Sequence, residues 1–141
     1  MNLLLTVPSR AVEEALARYP GNTDDAPEAV DVARRHPALP LYNDFMGCFA
    51  LRPSGECVFI AWDDPASATP IALGLPDFRV IHVARVRGGL RYPEIPGIMP
   101  ERPTDATACP SCHGSGQAVR PEVVCECGGL GWVAWAPDGA A

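Results

Sequence analysis

Four cysteines near the C-terminal end constrain this chain more than any other feature. They fall as Cys109-x2-Cys112-x12-Cys125-x-Cys127. Each half runs on into glycines, as Cys112-His113-Gly114-Ser115-Gly116 and as Cys127-Gly128-Gly129-Leu130-Gly131. Both fit C-x-G-x-G, so the stretch is an imperfect internal repeat. Thiolates are strong ligands for zinc, which favours four of them in a tetrahedron. Two cysteines two apart chelate from one tight turn, and a second turn across a hairpin completes the set. Glycines behind the thiols permit the positive φ with which a chain curls around a metal, and they let backbone N–H groups approach sulfur. The region around the cluster holds few aliphatic core residues. A piece of that kind needs a staple to fold, so metal binding there is folding free energy.

At Cys109-Pro110-Ser111-Cys112-His113-Gly114-Ser115-Gly116 the sequence resembles one repeat of the cysteine-rich zinc region of DnaJ-type co-chaperones, C-x-x-C-x-G-x-G. The resemblance covers about residues 107–135. The second repeat has C-x-C where the family has C-x-x-C. That family builds two zinc sites from four repeats, so two repeats imply one structural zinc. Carried over by position, Cys109, Cys112, Cys125 and Cys127 are the implied ligands, and His113 falls on the variable position. The shortened second pair leaves one alternative open: His113 completes the site if Cys125 does not reach. No J-domain accompanies the repeat. Arg35-His36-Pro37-Ala38 is similar to the His-Pro-Asp tripeptide of such domains but ends in alanine, and it reads as a helix stopped by proline. A second resemblance lies at 39–47. Leu39-Pro40-x-Tyr42-x2-Phe45-x-Gly47 is similar to the Leu-Pro-x-x-Tyr-x-x-Phe pattern, followed by glycine, of SUKH-like immunity and interaction domains, with one residue missing.

The remainder reads as a small globular body of α+β class. Leu3–Val7 is short, apolar and stopped by Pro8, which suits a buried strand. Ser9 is placed to cap a helix over about 10–19, with Val12, Ala15, Leu16 and Tyr19 on its apolar face. Pro20-Gly21-Asn22 ends it. A second helix opens at Pro27 and runs to about 36, burying Ala29, Val30 and Ala33. Residues 47–62 read as a hairpin about Arg52-Pro53-Ser54-Gly55. Pairing 52 with 55 sets Phe49 opposite Val58 and Gly47 opposite Ile60. It also puts Cys48 and Cys57 on one face, as small buried apolar residues. Residues 63–70 form a loop. Over 78–87 the Val and Ile content suggests a strand, while Asp77 and Gly88-Gly89 look like helix caps; the helix reading is preferred. Pro93, Pro96, Pro100 and Pro103 mark an extended connector. The expected organisation is a body over 1–100, with N-terminal helices and a β-hairpin, and a zinc-knuckle β-hairpin module over 101–141.

Composition narrows the function. A net charge of −6 with no basic run argues against nucleic acid, whose phosphates demand dense Lys and Arg. The first ten residues lack the basic n-region of an export signal, and no stretch approaches the ~18 apolar residues of a membrane span. A reducing cytoplasm is expected, where clustered cysteines serve metals or redox chemistry. No phosphate loop and no G-x-S-x-G is present. The enzymatic rival is thiol–disulfide exchange or isomerisation at Cys109–Cys112. The reading that best fits the sequence is zinc binding in a protein- or peptide-interaction or chaperone-like accessory module. Trp132 and Trp135 follow the second repeat. One packs over the knuckle, and the other is a candidate partner anchor.

Overall fold

In the computed structural model, residues 3–19, 25–71, 78–102, 104, 106–109, 112–115, 125 and 127–133 are described. The apolar spacing of the first helix delivers α1 over Ser9–Arg18, which buries Val12 and Ala15. Ser9 is the first residue of the helix rather than its cap. The N-cap is Pro8, whose carbonyl accepts from the Ala11 and Val12 N–H groups. The second helix, α2 over Pro27–Arg35, has proline at its start, Glu28 in its first turn and Arg34 and Arg35 in its last. These charges complement the helix dipole. It buries Val32 with Ala29 and Ala33, whereas Val30 is only partly covered.

Four antiparallel strands follow: β1 over Leu39–Asn43, β2 over Gly47–Leu51, β3 over Cys57–Ala61 and β4 over Thr69–Pro70. They lie side by side in chain order. The β2–β3 register corrects the expected one by a residue. Phe49 faces Phe59, Ala50 faces Val58 and Gly47 faces Ala61. The cause is the turn. The Gly55 N–H bonds the Arg52 carbonyl, and the Arg52 N–H bonds the Glu56 carbonyl. The loop is therefore three residues long, closed by Gly55 at φ +94°. A slip of one residue moves a side chain to the other face. Cys48 and Cys57 accordingly lie on opposite faces, correcting the shared face. Both are buried, at 0% and 3% exposure. The N-terminal segment forms a single bridge, Leu4 to Glu56, rather than a full buried strand, and Leu4 is 63% exposed.

The third helix, α3, runs over Phe78–Arg91 and passes through Gly88-Gly89 instead of ending there. A Cβ at Gly88 would come within 2.7 Å of Leu41, and one at Gly89 within 2.7 Å of Met99. The glycines thus let α3 approach β1 and the segment beyond it. That segment is the expected extended connector, and it is not one. It folds back in turns, with Ile95 and Ile98 buried and Tyr92 Oη donating to the Pro40 carbonyl. Arg85 on α3 donates to the carbonyls of Ile98 and Gly97. One face of the sheet meets α1, α3 and these turns; the other packs Cys48, Ala50, Val58 and Ile60 against Val32 and Ala38. Two short strands, β5 over Thr107–Ala108 and β6 over Trp132–Val133, pair antiparallel near the C-terminal end. The chain is an α+β protein.

Candidate metal centre

The β5–β6 pair brings the two halves of the cysteine repeat together. The Cys109 N–H donates to the Gly131 carbonyl, which extends the ladder into the cluster. Beyond it, each half turns back on itself. The Ser115 N–H bonds the Cys112 carbonyl at 3.1 Å, and the Leu130 N–H bonds the Cys127 carbonyl at 3.5 Å. The central residues of the two turns all have positive φ: His113 +55° and Gly114 +89° in one, Gly128 +72° and Gly129 +101° in the other. Turns with two positive φ values favour glycine. This is the physical content of the glycines in C-x-G-x-G. It also leaves the Gly131 N–H 3.3 Å from Cys127 Sγ, a donor aimed at sulfur.

The four thiols converge. Cys109, Cys112, Cys125 and Cys127 are all buried, and their Sγ atoms lie within 4.8 Å of one another. Cys109 Sγ is 3.5 Å from Cys125 Sγ, and Cys112 Sγ is 3.8 Å from Cys127 Sγ. Four sulfurs bonded at about 2.3 Å to one tetrahedral ion sit about 3.8 Å apart. The spacing therefore suits a metal ion of that size, and the residues present fit it. Cys125 reaches the cluster despite the shortened C-x-C, whereas His113 is exposed and outside it. Without a cation, burial pushes the Cys125 thiol above its ordinary pKa. A bound metal ion reverses that order by holding thiolates.

The cluster rests on α3. A Cβ on Gly128 would lie 2.7 Å from the Val86 Cβ, so the second turn is in close contact with the helix. One helical turn earlier, buried His82 meets Trp132 edge-on, with ring centroids 5.5 Å apart. Burial and the neighbouring Arg85 charge lower the His82 pKa, against the backbone of Cys127 and Trp132. Arg102 lies 5.9 Å from the Trp132 ring on another side. Trp132 is 7% exposed, so it packs within the chain against His82. Trp135 lies outside the described residues. The contact of His82 with the cysteine turns has no signal in the sequence, since 50 residues separate it from Trp132.

Cys109 and Cys112 are 0% and 8% exposed. Thiol exchange works through an accessible thiolate, and this pair is closed in by the other two sulfurs. Among the described residues no helix is long and apolar enough to cross a membrane. Comparison of the chain with known protein families, with curated proteins and with solved structures finds no match.

Proposed function

We propose that the chain is a zinc-binding protein that works by recognising another protein or peptide. One structural zinc is held by Cys109, Cys112, Cys125 and Cys127. The observation that carries this reading is the convergence of four buried sulfurs at spacings that match a tetrahedral ion. A pocket made only of thiolates selects soft ions, and a tetrahedral set of four favours zinc. A closed set leaves no position for water, so the metal's part is to fold residues 101–141 and to hold them on the body over 1–100. The four thiolates are kept reduced by a cytoplasmic environment. The C-x-x-C-x-G-x-G resemblance supports an accessory role of the chaperone-associated kind, without the ATPase-stimulating domain.

Elemental analysis of untagged protein tests the metal directly. One zinc per chain, lost in Cys112→Ser, is the expected result. Less than about half an equivalent, with Cys109 and Cys112 joined as a disulfide, would give the site to thiol exchange instead.

A further inference from the structure

A second feature lies on the body, away from the cysteines. A groove of ≈ 380 Å³ opens between β1 and the last turns of α3, lined by Leu41, Tyr42, Asn43, Arg87, Leu90 and Arg91. That size is within the usual range for ligand pockets. Its strand wall is a sheet edge, because among the described residues β1 pairs with β2 alone. The direction of the edge groups follows from the ladder. Asp44 donates its N–H to the Gly47 carbonyl across the β1–β2 turn. Hydrogen-bonded and open pairs alternate in an antiparallel ladder. The next pair, Asn43 with Cys48, is therefore an open one, and the Asn43 N–H and C=O point away from the sheet. Asn43 is exposed. Such an edge accepts an added extended segment.

The helix wall supplies apolar surface and charge. Leu90 is 52% exposed. Phe45 and Met46, in the turn that follows β1 directly, are 91% and 63% exposed. Three of the four large apolar side chains exposed among the described residues thus sit on this wall or just beyond β1. The two arginines differ. Arg91 is fixed, with Nη2 2.6 Å from Asp25 and its guanidinium over the rings of Tyr19 and Tyr92. Arg87 is exposed, and no carboxylate of a described residue pairs with it. Burial and the Asp44 charge push the Tyr42 phenol above its ordinary pKa, and the Arg87 charge acts against them. With Asp25 balancing Arg91, the groove's lining residues keep one surplus positive charge, at Arg87, while Asp44 sets a negative charge near Tyr42, on a molecule of net charge −6.

We propose that this groove takes an acidic, apolar peptide segment of another protein, extended along Asn43, with a carboxylate on Arg87 and an apolar side chain against Tyr42 and Leu90. The proposal rests on the interaction reading above and not on the identity of the metal. Charge complementarity selects the acid, and the open edge with its apolar rim selects an extended peptide. A nucleic acid would need many more cations than the single surplus one here.

Selection of short linear peptides from a display library against the full, metal-loaded chain provides the test. Enriched peptides are expected to place Asp or Glu beside a large apolar residue. Their affinity should fall at least about tenfold in Arg87→Glu and in Leu90→Ser, and stay unchanged in Arg34→Glu on α2. No selected binder, binders without an acid, or binding indifferent to Arg87→Glu would overturn the proposal. So would a concentration-dependent dimer in sedimentation that Arg87→Glu dissociates, which would give the groove to a second copy of the chain. Metal content measured on the same samples separates the two readings. Lost peptide binding with full metal content reports on the groove alone. A metal-free wild type that still binds through Arg87 overturns the zinc reading alone.

Discussion

Replacing Gly128 with alanine tests whether the cysteine turns are built against α3. Two penalties add at this position. Its φ of +72° is a left-handed conformation, which costs a residue with a Cβ about 1–2 kcal/mol. The new Cβ would also lie 2.7 Å from Val86 Cβ and 2.8 Å from Val86 Cγ1, and Val86 is fully buried. Overpacking of that kind costs about 1–3 kcal/mol. The sum is about 2–5 kcal/mol. Gly114 supplies the control, because its φ is +89° but its Cβ would meet nothing closer than 3.8 Å. Gly114→Ala should therefore cost only the conformational part, about 1–2 kcal/mol. Urea unfolding of the zinc-saturated proteins measures both, and chelator competition measures the metal. A loss of about 2 kcal/mol corresponds to roughly thirtyfold in zinc affinity, far from enough to empty a site worth about 10–16 kcal/mol. Equal costs for the two substitutions would refute the claim that contact with α3 makes Gly128 necessary.

Three further outcomes follow from the geometry. Cys125→Ser should weaken metal binding sharply while His113→Ala leaves it unchanged, as read by zinc titration; the reverse would place His113 in the site. Burial pushes the Cys48 thiol up to about 12 and the Cys57 thiol to about 11. Because the fold prefers the protonated thiols, their contribution is whole below the unfolded pKa of about 8.5 and is lost as pH rises through the folded values, at about 1.4 kcal/mol per unit for each. Unfolding free energy should therefore fall above about pH 9, less steeply in Cys48→Ala, and a flat profile to pH 11 would contradict the burial argument. Asp25→Asn removes the carboxylate that accepts from Arg91 and Tyr19. Arg91 is about a third exposed, so solvent screens part of the loss, and denaturation should show a cost of about 1–3 kcal/mol.

The sequence made the helices legible where apolar residues recur at helical spacing, as at Val12, Ala15 and Tyr19. It made the metal cluster legible because the same short pattern occurs twice. What it hid depended on contacts distant in sequence. The hairpin register turned on whether Gly55 closes a two- or a three-residue loop. Gly88-Gly89 read as a helix end, since only the approach of Leu41 and Met99 gives the pair a place inside a helix. The proline-rich stretch read as a connector because Ile95 and Ile98 are too few to signal a core contribution, yet both are buried. Residues 39–43 did not read as a strand, yet they form β1 with Pro40 inside it, as edge strands tolerate. The groove joins residues of β1 to residues of α3 more than 40 positions on, and no local pattern announces it.

The most direct test of the metal centre is X-ray absorption at the zinc edge on the untagged, full-length protein. The account predicts four sulfur neighbours at about 2.3 Å and no nitrogen or oxygen in the first shell. Three sulfurs with one nitrogen would place a histidine in the site and displace Cys125. An absence of bound zinc, with the four thiols free or oxidised, would contradict the central claim outright.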